Sequence, residues 1–241
     1  GRHSGRLELT RHKPFCSREK NMAKIECYFI SGSPPCWSIM LALAAKGLSY
    51  EPRRLDNSKR EHKSEAFLAI NPRGRVPVLT DAGITVRETN AILAYLEVAY
   101  PEPPLFGLSP AQAAAIWQIV SEAEERLRNP IGNITRQIFR GRAAEMTADI
   151  TEAIQPVREE LNAFENRLDS HPYLVGEALS AADVIVYPAL MQLLRGATRD
   201  GAEALNLKVA PLDKHYPTLA AWARRIVAIP GYDSAYPPHW R

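Results

Sequence analysis

A proline inside a short apolar segment constrains the fold of this chain more than any other feature. Residues 71–79 read NPRGRVPVL, and Pro77 interrupts a run that otherwise has the composition of a β-strand. Proline has no backbone N–H to give to a sheet, so it fits at a sheet edge or next to a cis peptide bond. Val76 would then present its backbone N–H and C=O to whatever binds beside the proline.

A helix is expected to begin shortly afterwards, at Glu88 and Thr89. The N-terminus of a helix carries unpaired N–H groups and the positive end of the helix dipole, so it favours an anion. Together with Val76, this pattern predicts an edge that binds a peptide-like ligand carrying a carboxylate.

The charge of the chain is concentrated at one end. The formal net charge is +3, but residues 1–21 hold six Lys or Arg and two Glu, which is +4, so the remainder carries −1. A nearly neutral body does not predict nucleic-acid binding. No apolar run approaches the ~18 residues that a membrane-spanning helix needs, so no membrane partner is expected.

The basic leader, residues 1–21, lacks the apolar core of a secretory signal. Met22 has the features of a natural start, so we expect the leader to be non-native or upstream sequence and to be dispensable; an Arg-rich transit peptide is the alternative. The three cysteines, Cys16, Cys27 and Cys36, are odd in number and have no metal-ligand spacing. They predict a reducing, cytoplasmic setting and no metal site.

The first half of the chain alternates short strand and helix patterns. Aromatic and β-branched residues predict a strand, the spacing of apolar residues predicts helices, and Gly47 and the turn at 81–83 end two elements. The predicted elements are a strand at 25–30, a helix at 38–46, a strand at 50–55, a helix at 65–70, two strands around 81–83, and a helix at 88–99. The order β-α-β-α-β-β-α is that of a thioredoxin-like α/β domain, which we assign to residues 22–101.

The second half is predicted to be an all-α domain, residues 109–241, joined by a proline-rich linker at 102–108. Ser109 and Pro110 have the pattern of a helix start. The helix that follows runs towards Arg140, and Pro130 should kink it. Further helices are expected at 148–168 and 217–229.

Ser180 and Asp183 have the spacing of a capping box at the start of a very apolar helix. The segment after them is too apolar to face water, so this helix should be central to the second domain. We therefore interpret both residues as structural and not catalytic.

The segment SPPC at residues 33–36 follows the first predicted strand and resembles the Cys-Pro-x-Cys motif of glutaredoxins, with serine in place of the first cysteine. A serine cannot form a mixed disulfide, but its hydroxyl can donate a hydrogen bond to the thiolate of a bound molecule. Such a donor lowers a thiol pKa from its usual value near ~8.5. Ser33 is thus the candidate catalytic residue, and a simple helix cap is the alternative. Cys36 is the rival for thiol chemistry.

The chain is similar to the cytosolic glutathione S-transferases over nearly everything after Met22. The most specific segments are GSPPCW at 32–37, EHKS at 61–64, NPRG at 71–74 and YPPHW at 236–240. This combination looks most like the rho class of aquatic animals, with the zeta and omega classes as relatives. The resemblance implies a thioredoxin-like domain plus an all-helical domain, assembled as a homodimer in the cytoplasm.

The resemblance also implies a function. It is the conjugation of reduced glutathione to hydrophobic electrophiles in detoxification, with glutathione as co-substrate and no other cofactor. Ser33 would stabilise the thiolate, Val76 would pair with the cysteinyl backbone beside a cis Pro77, and Glu88 and Thr89 would hold the γ-glutamyl end.

Further contacts follow from the same resemblance. Lys63 aligns with a residue that contacts the glycyl carboxylate, and the neighbouring His62 is the alternative. The electrophile pocket would use Asn129, Arg136 and Trp240.

Two other functions compete with this one. The first is a glutathione-dependent thiol transferase or dehydroascorbate-type reductase that uses Cys36. The second is a non-catalytic dimerisation or binding module, because the same fold serves that purpose elsewhere. The presence of Ser33, Val76, Pro77 and Thr89 argues against the second, since a pure scaffold does not need a ligand edge.

Overall fold

The computed structural model of the protein describes residues 25–240, so the expectations for the basic leader and for Cys16 lie outside it. The order of elements predicted for the first half is confirmed, with an additional 3-10 turn at Glu61–Lys63. The elements are β1 (Glu26–Phe29), α1 (Pro34–Ala45), β2 (Glu51–Arg54), α2 (Glu65–Ile70), β3 (Val78–Asp81), β4 (Ile84–Arg87) and α3 (Thr89–Ala99).

The four strands form one mixed sheet in the order β2-β1-β3-β4. β1 is parallel to β2, with Phe29 opposite Arg54, whereas β3 runs antiparallel to both β1 and β4. This is the thioredoxin-like arrangement. It brings the C-terminal ends of β1 and β2 to the same edge of the sheet as the start of α1.

Helix α1 lies in the interior of the molecule. All eight residues from 36 to 43 are buried, because the helix packs on the sheet side and also against the helix Ala181–Ala197 of the second half. The helix begins four residues earlier than predicted, since Pro34 and Pro35 occupy its first turn, where no intrahelical N–H bond is lost. It ends at Ala45, one residue before the predicted end, and Gly47 follows the C-cap residue with φ of +63°, as expected for a helix stop.

The proline-rich connector is held in place by one buried lysine. Lys46 Nζ donates to the carbonyls of Tyr100 and Pro103 at 2.7 and 2.8 Å and pairs with Glu97 at 3.0 Å. Glu97 in turn accepts from the backbone N–H of Leu105 at 2.9 Å. These bonds tie the connector to the C-terminal ends of α1 and α3.

The second half is helical, as predicted. Its α-helices are α4 (Pro110–Ala123), α5 (Asn129–Phe139), α6 (Thr147–Leu168), α7 (Ala181–Ala197), α8 (Leu212–His215), α9 (Pro217–Val227) and α10 (Tyr232–Ala235). Short helices α8 and α10 and the 3-10 turns at Glu203–Leu205 and Pro238–Trp240 were not predicted. Four-residue elements carry too little periodicity to be recognised in a sequence.

The long helix predicted to run towards Arg140 changes its geometry just before Pro130. A π-helical segment, Glu124–Arg128, joins α4 to α5. Pro130 cannot donate a hydrogen bond to a preceding carbonyl, and a wider turn accommodates that loss.

The capping box is confirmed. Ser180 N–H and Oγ donate to one oxygen of Asp183, both at 2.8 Å. The other oxygen accepts from Leu174 N–H at 2.9 Å and from Trp222 Nε1 at 2.8 Å. Burial raises the pKa of Asp183, and these four hydrogen bonds oppose the rise. The carboxylate thus joins α7 to α9 and has a structural role.

Within residues 25–240, none of the helices combines the length and apolar composition of a membrane-crossing helix.

Candidate active site

The predicted ligand edge lies in a cavity of about 410 Å³ between the start of β3, the start of α3 and the π-helical segment. We call it the β3–α3 cavity. Its lining consists of Pro35, Asn71, Arg75, Val76, Pro77, Glu88, Thr89, Asn90, Glu124 and Arg128. Four of the residues predicted from sequence, Val76, Pro77, Glu88 and Thr89, are therefore brought together.

The edge beside Pro77 has open backbone groups. The Val76–Pro77 peptide bond is cis, as expected, and β3 begins only at Val78. Among the hydrogen bonds of residues 25–240, none uses the backbone N–H or C=O of Val76. The preceding loop is fixed by Asn71, whose side chain donates to the carbonyl of Arg75 at 2.7 Å. Val76 can thus form two backbone hydrogen bonds with an extended ligand.

The second wall is the N-terminus of α3. Thr89 is its first residue and is buried, with 7% of its surface exposed. Glu88 precedes it with φ of +69°, a left-handed value that is uncommon for a residue with a side chain. Among residues 25–240, no side chain caps this end of the helix. The hydroxyl of Thr89 and the free N–H groups of α3 therefore form a site for an anionic group.

Arg128 enters the same cavity from the second half of the chain. Its side chain is 14% exposed and pairs with Glu124 at 2.7 Å. Burial lowers its pKa, and the negative charges of Glu124 and Glu88 oppose that shift. Sequence reasoning missed this residue. The available signal was Pro130, which predicted an irregular helix but not the direction in which a side chain two residues away would point.

Ser33 stands at the N-cap position of α1, yet its side chain makes no capping hydrogen bond. Its backbone N–H is already bonded to Ile30 at 3.2 Å. Pro34 and Pro35 have no N–H, so Cys36 supplies the only backbone donor among the first three helical residues. An anion bound at this end of α1 would therefore receive its hydrogen bonds mainly from the Ser33 hydroxyl.

Cys36 is a buried thiol, with 1% of its surface exposed. Burial raises its pKa to about 11, although hydrogen bonds from the Ser33 side chain and the Ile30 backbone act in the opposite direction. At neutral pH the group is therefore almost entirely a neutral thiol, which is a poor nucleophile.

Lys63 and His62 lie outside the lining of the β3–α3 cavity. Lys63 Nζ donates to the carbonyls of Gly74 and Arg73 at 2.8 and 3.3 Å. Gly74 has φ of +56°, and a Cβ there would stand 2.8 Å from the carbonyl oxygen of His62. Lys63 thus supports the loop that leads to Val76. Nδ1 of His62 is buried and has no hydrogen-bond partner among residues 25–240.

None of the three residues expected to form an electrophile pocket is in the lining of the β3–α3 cavity. Asn129 and Arg136 are exposed on α5. Trp240 packs edge-on against Trp37, with ring centroids 5.5 Å apart, and the guanidinium of Arg195 lies 5.0 Å from its ring.

Comparisons with known proteins agree with this architecture. Residues 23–98 match the family model "Glutathione S-transferase, N-terminal domain", and residues 147–225 match "Glutathione S-transferase, C-terminal domain". Glutathione S-transferase 1 of Dianthus caryophyllus is 29% identical over 187 residues, which is 77% of this chain and 84% of that protein. Maleylacetoacetate isomerase of Rattus norvegicus is 30% identical over 205 residues, which is 83% of this chain and 87% of that protein.

A solved structure gives the same result. The crystal structure of a glutathione S-transferase from the Antarctic clam Laternula elliptica is 29% identical and superposes with a TM-score of 0.75. The match covers 90% of this chain and 94% of that one. The chain therefore belongs to the glutathione S-transferases, a family of enzymes.

Proposed function

We propose that the protein conjugates reduced glutathione to apolar electrophiles, as in detoxification. One observation carries the proposal: the β3–α3 cavity joins an open backbone edge at Val76, an uncapped helix N-terminus at Thr89 and the start of α1. A tripeptide with charged ends matches the open edge and the helix N-terminus. Its thiol would extend past Pro35 of α1 towards Ser33, which lies outside the lining of this cavity.

The proposed pose follows from the chemistry of the walls. The backbone of Val76, next to Pro77, would pair with the cysteinyl residue, and Glu88 and Thr89 would hold the γ-glutamyl end. Lys63 remains the candidate for the glycyl carboxylate, with His62 as the alternative. Arg128 adds a cation on the wall facing α3, where it would strengthen binding of a ligand carboxylate.

Ser33 is proposed as the catalytic residue. Its hydroxyl would donate a hydrogen bond to the glutathione sulfur and favour the thiolate. The thiolate then attacks the electrophilic carbon, forming a C–S bond while the leaving group or the π system of the electrophile takes the electron pair. Two prolines in the first turn of α1 leave few backbone donors there, which supports a central role for this hydroxyl.

The competing functions are less well supported. Thiol transfer through Cys36 needs an accessible thiolate, whereas this thiol is buried and its pKa is raised to about 11. A non-catalytic module would have no need of the open edge at Val76. A glutathione-dependent isomerase is a second candidate because one relative with 30% identity is named maleylacetoacetate isomerase, and that activity would use the same thiolate.

Finer assignments are also proposals. The segments at 32–37 and 236–240 favour the rho class within the family. Buried free thiols at Cys27 and Cys36 favour a reducing, cytoplasmic setting. We also propose a homodimer.

The test combines binding and activity. Wild-type protein should bind immobilised glutathione and form conjugate with a chromogenic nitroaryl chloride. Thr89→Ala should weaken glutathione binding by about 1 kcal/mol or more, because a charged ligand group loses a donor. Thr85→Ala, an exposed threonine on β4, is the matched control and should bind as wild type. If wild type neither binds glutathione nor forms conjugate, the proposed function is wrong.

A further inference from the structure

A separate cavity lies in the second half of the chain, between the end of α7 and α8. It has a volume of about 420 Å³ and is bounded by residues 197–198, the loop at 202–211 and His215 of α8. We call it the α7–α8 cavity. Its lining shares no residue with the β3–α3 cavity. Its volume is within the range of small-molecule sites.

The loop in the wall of this cavity has unused backbone groups. Among the hydrogen bonds of residues 25–240, none uses the backbone N–H of residues 207–210 or the carbonyl of residues 206–210. Asn206 and Lys208 have left-handed φ values of +47° and +56°. Left-handed residues after a helical turn direct successive N–H groups into a concavity that binds anions.

Val209 shows that these groups are not simply facing solvent. It is 0% exposed, so its N–H and C=O are both buried, and it lies between Lys208 and Ala210, which line the cavity. Buried backbone groups are almost always paired in folded proteins. An occupant that brings both a donor and an acceptor would pair them.

Two opposite charges line the same cavity without pairing to each other. Lys208 and Glu203 are both exposed, and neither has an ion pair among residues 25–240. One oxygen of Glu203 accepts from the N–H of Gly201 at 3.0 Å. The cation stands on the loop with the free N–H groups, where a carboxylate would receive both a charge and hydrogen bonds. The carboxylate of Glu203 is complementary to an ammonium group.

The remaining walls are mostly apolar. The apolar lining residues are Ala197, Ala202, Leu207, Ala210 and Pro211. These side chains would pack against a hydrocarbon group of a ligand.

We propose that the α7–α8 cavity binds a free α-amino acid with an apolar side chain. The carboxylate lies against Lys208 and the free N–H groups of the loop, and the ammonium lies near Glu203. This binding does not rest on the proposed function, because the two cavities share no residue.

The test uses three probes that differ in one charge each: leucine, N-acetyl-leucine, which lacks the ammonium, and leucinamide, which lacks the carboxylate. The readout is the backbone amide resonance of Lys208 in protein labelled with ¹⁵N-lysine, identified by its absence in Lys208→Gln. Leucine should shift this resonance saturably, because its carboxylate accepts a hydrogen bond there. The other two probes should each bind roughly fivefold more weakly or worse, since one charge is missing.

Two substitutions assign the charges, with binding measured by calorimetry. Lys208→Gln should raise the Kd of leucine and of N-acetyl-leucine by roughly fivefold, as expected for an exposed charge, and leave leucinamide unchanged. Glu203→Gln keeps an oxygen for Gly201 and should weaken leucine and leucinamide but not N-acetyl-leucine. Lys214→Gln is the matched control, because Lys214 is exposed on α8 and outside the lining.

A further pair of variants tests the location. Thr198 is exposed and lines the cavity, so Thr198→Phe should weaken leucine binding by roughly tenfold or more because the ring occupies its volume. Ser170→Phe, on the exposed turn after α6, should bind leucine as wild type.

The outcomes separate this proposal from the proposed function. Leucine binding that depends on Lys208 and Glu203, in a protein that forms no glutathione conjugate, would support the amino-acid site and overturn only the conjugation. An unmoved Lys208 resonance, or equal leucine binding by Thr198→Phe and Ser170→Phe, would overturn the site whatever the conjugation assay gives. If inorganic phosphate or N-acetyl-leucine binds as tightly as leucine, the loop binds small anions in general and the amino-acid assignment is wrong.

Discussion

Ser33 and Cys36 stand three residues apart at the start of α1, and their surroundings give them different chemistry. Ser33 is half-buried, with a hydroxyl that is not used to cap the helix. Cys36 is enclosed, and its pKa is raised to about 11. The Ser33 hydroxyl can donate a hydrogen bond at any physiological pH. The Cys36 thiol is neutral at those pH values and is therefore a poor nucleophile.

Substitution of these two residues separates the mechanisms. Ser33→Ala should raise the pKa of bound glutathione and lower conjugation at neutral pH by roughly tenfold to a thousandfold, since a donor to an anion is lost. Cys36→Ala should change mainly packing. The rate rises with pH through the pKa of the reacting thiol. Its midpoint should therefore lie below ~8.5 for glutathione held by Ser33, but at about 11 for Cys36.

The measurement is the conjugation rate against pH for wild type and both variants. If Cys36→Ala loses activity and Ser33→Ala keeps an unshifted pH profile, then Cys36 and not Ser33 is the catalytic residue.

At the scale of elements, the π-helical segment Glu124–Arg128 determines which side chain of the second half enters the β3–α3 cavity. Arg128 is enclosed there, whereas Arg126 in the same segment is 62% exposed and lies 3.9 Å from Glu160. Two arginines on one turn thus have different surroundings, because the turn directs one of them inwards.

Arg128→Gln should raise the Kd of glutathione roughly tenfold, because a charged ligand group loses a partly desolvated cation. Arg126→Gln is the matched control and should bind glutathione as wild type. Titration calorimetry gives both values. Equal affinity in the two variants would remove Arg128 from the binding site.

The capping box at the start of α7 allows a test of stability. Asp183→Asn would direct an amide NH₂ at two buried donors, so the free energy of unfolding should fall by about 3 kcal/mol. Asp149→Asn, in the exposed first turn of α6, should change it little. Urea unfolding measures both. A small loss in Asp183→Asn would mean that the carboxylate is not needed to join α7 to α9.

Local chemistry explains which elements the sequence could predict. Gly47, the Ser180 and Asp183 pair and Pro77 each act through their own backbone or near neighbours, and all three features are in the structure as expected. The position of Arg128 and the packing of the C-terminal segment on α1 depend on contacts between segments far apart in the chain. Nothing in residues 124–128 indicates that they will face α3, and nothing in residues 230–238 indicates that they will cover α1.

At the scale of the whole molecule, the described part of the chain leaves apolar side chains uncovered near the junction of its two halves. Val98 at the end of α3 is 85% exposed and Leu108 before α4 is 86% exposed. Glu97 fixes the connector beside α3, so the two lie on neighbouring segments. Trp117 of α4 is 37% exposed and stacks on Phe106 at 4.5 Å. Large exposed apolar groups that are close together are typical of protein interfaces.

The proposed homodimer is therefore expected to use this face. Wild type should elute with a mass twice the 26.9 kDa of one chain in light scattering at micromolar concentration. In a two-fold interface each substitution occurs twice, so the double variant Val98→Glu and Leu108→Glu would place four carboxylates in an apolar contact. Its mass should fall to that of one chain. Val227→Glu, on the exposed side of α9, should remain dimeric. A monomeric wild type would contradict the dimer, and a double variant that stays dimeric would contradict this face as its interface.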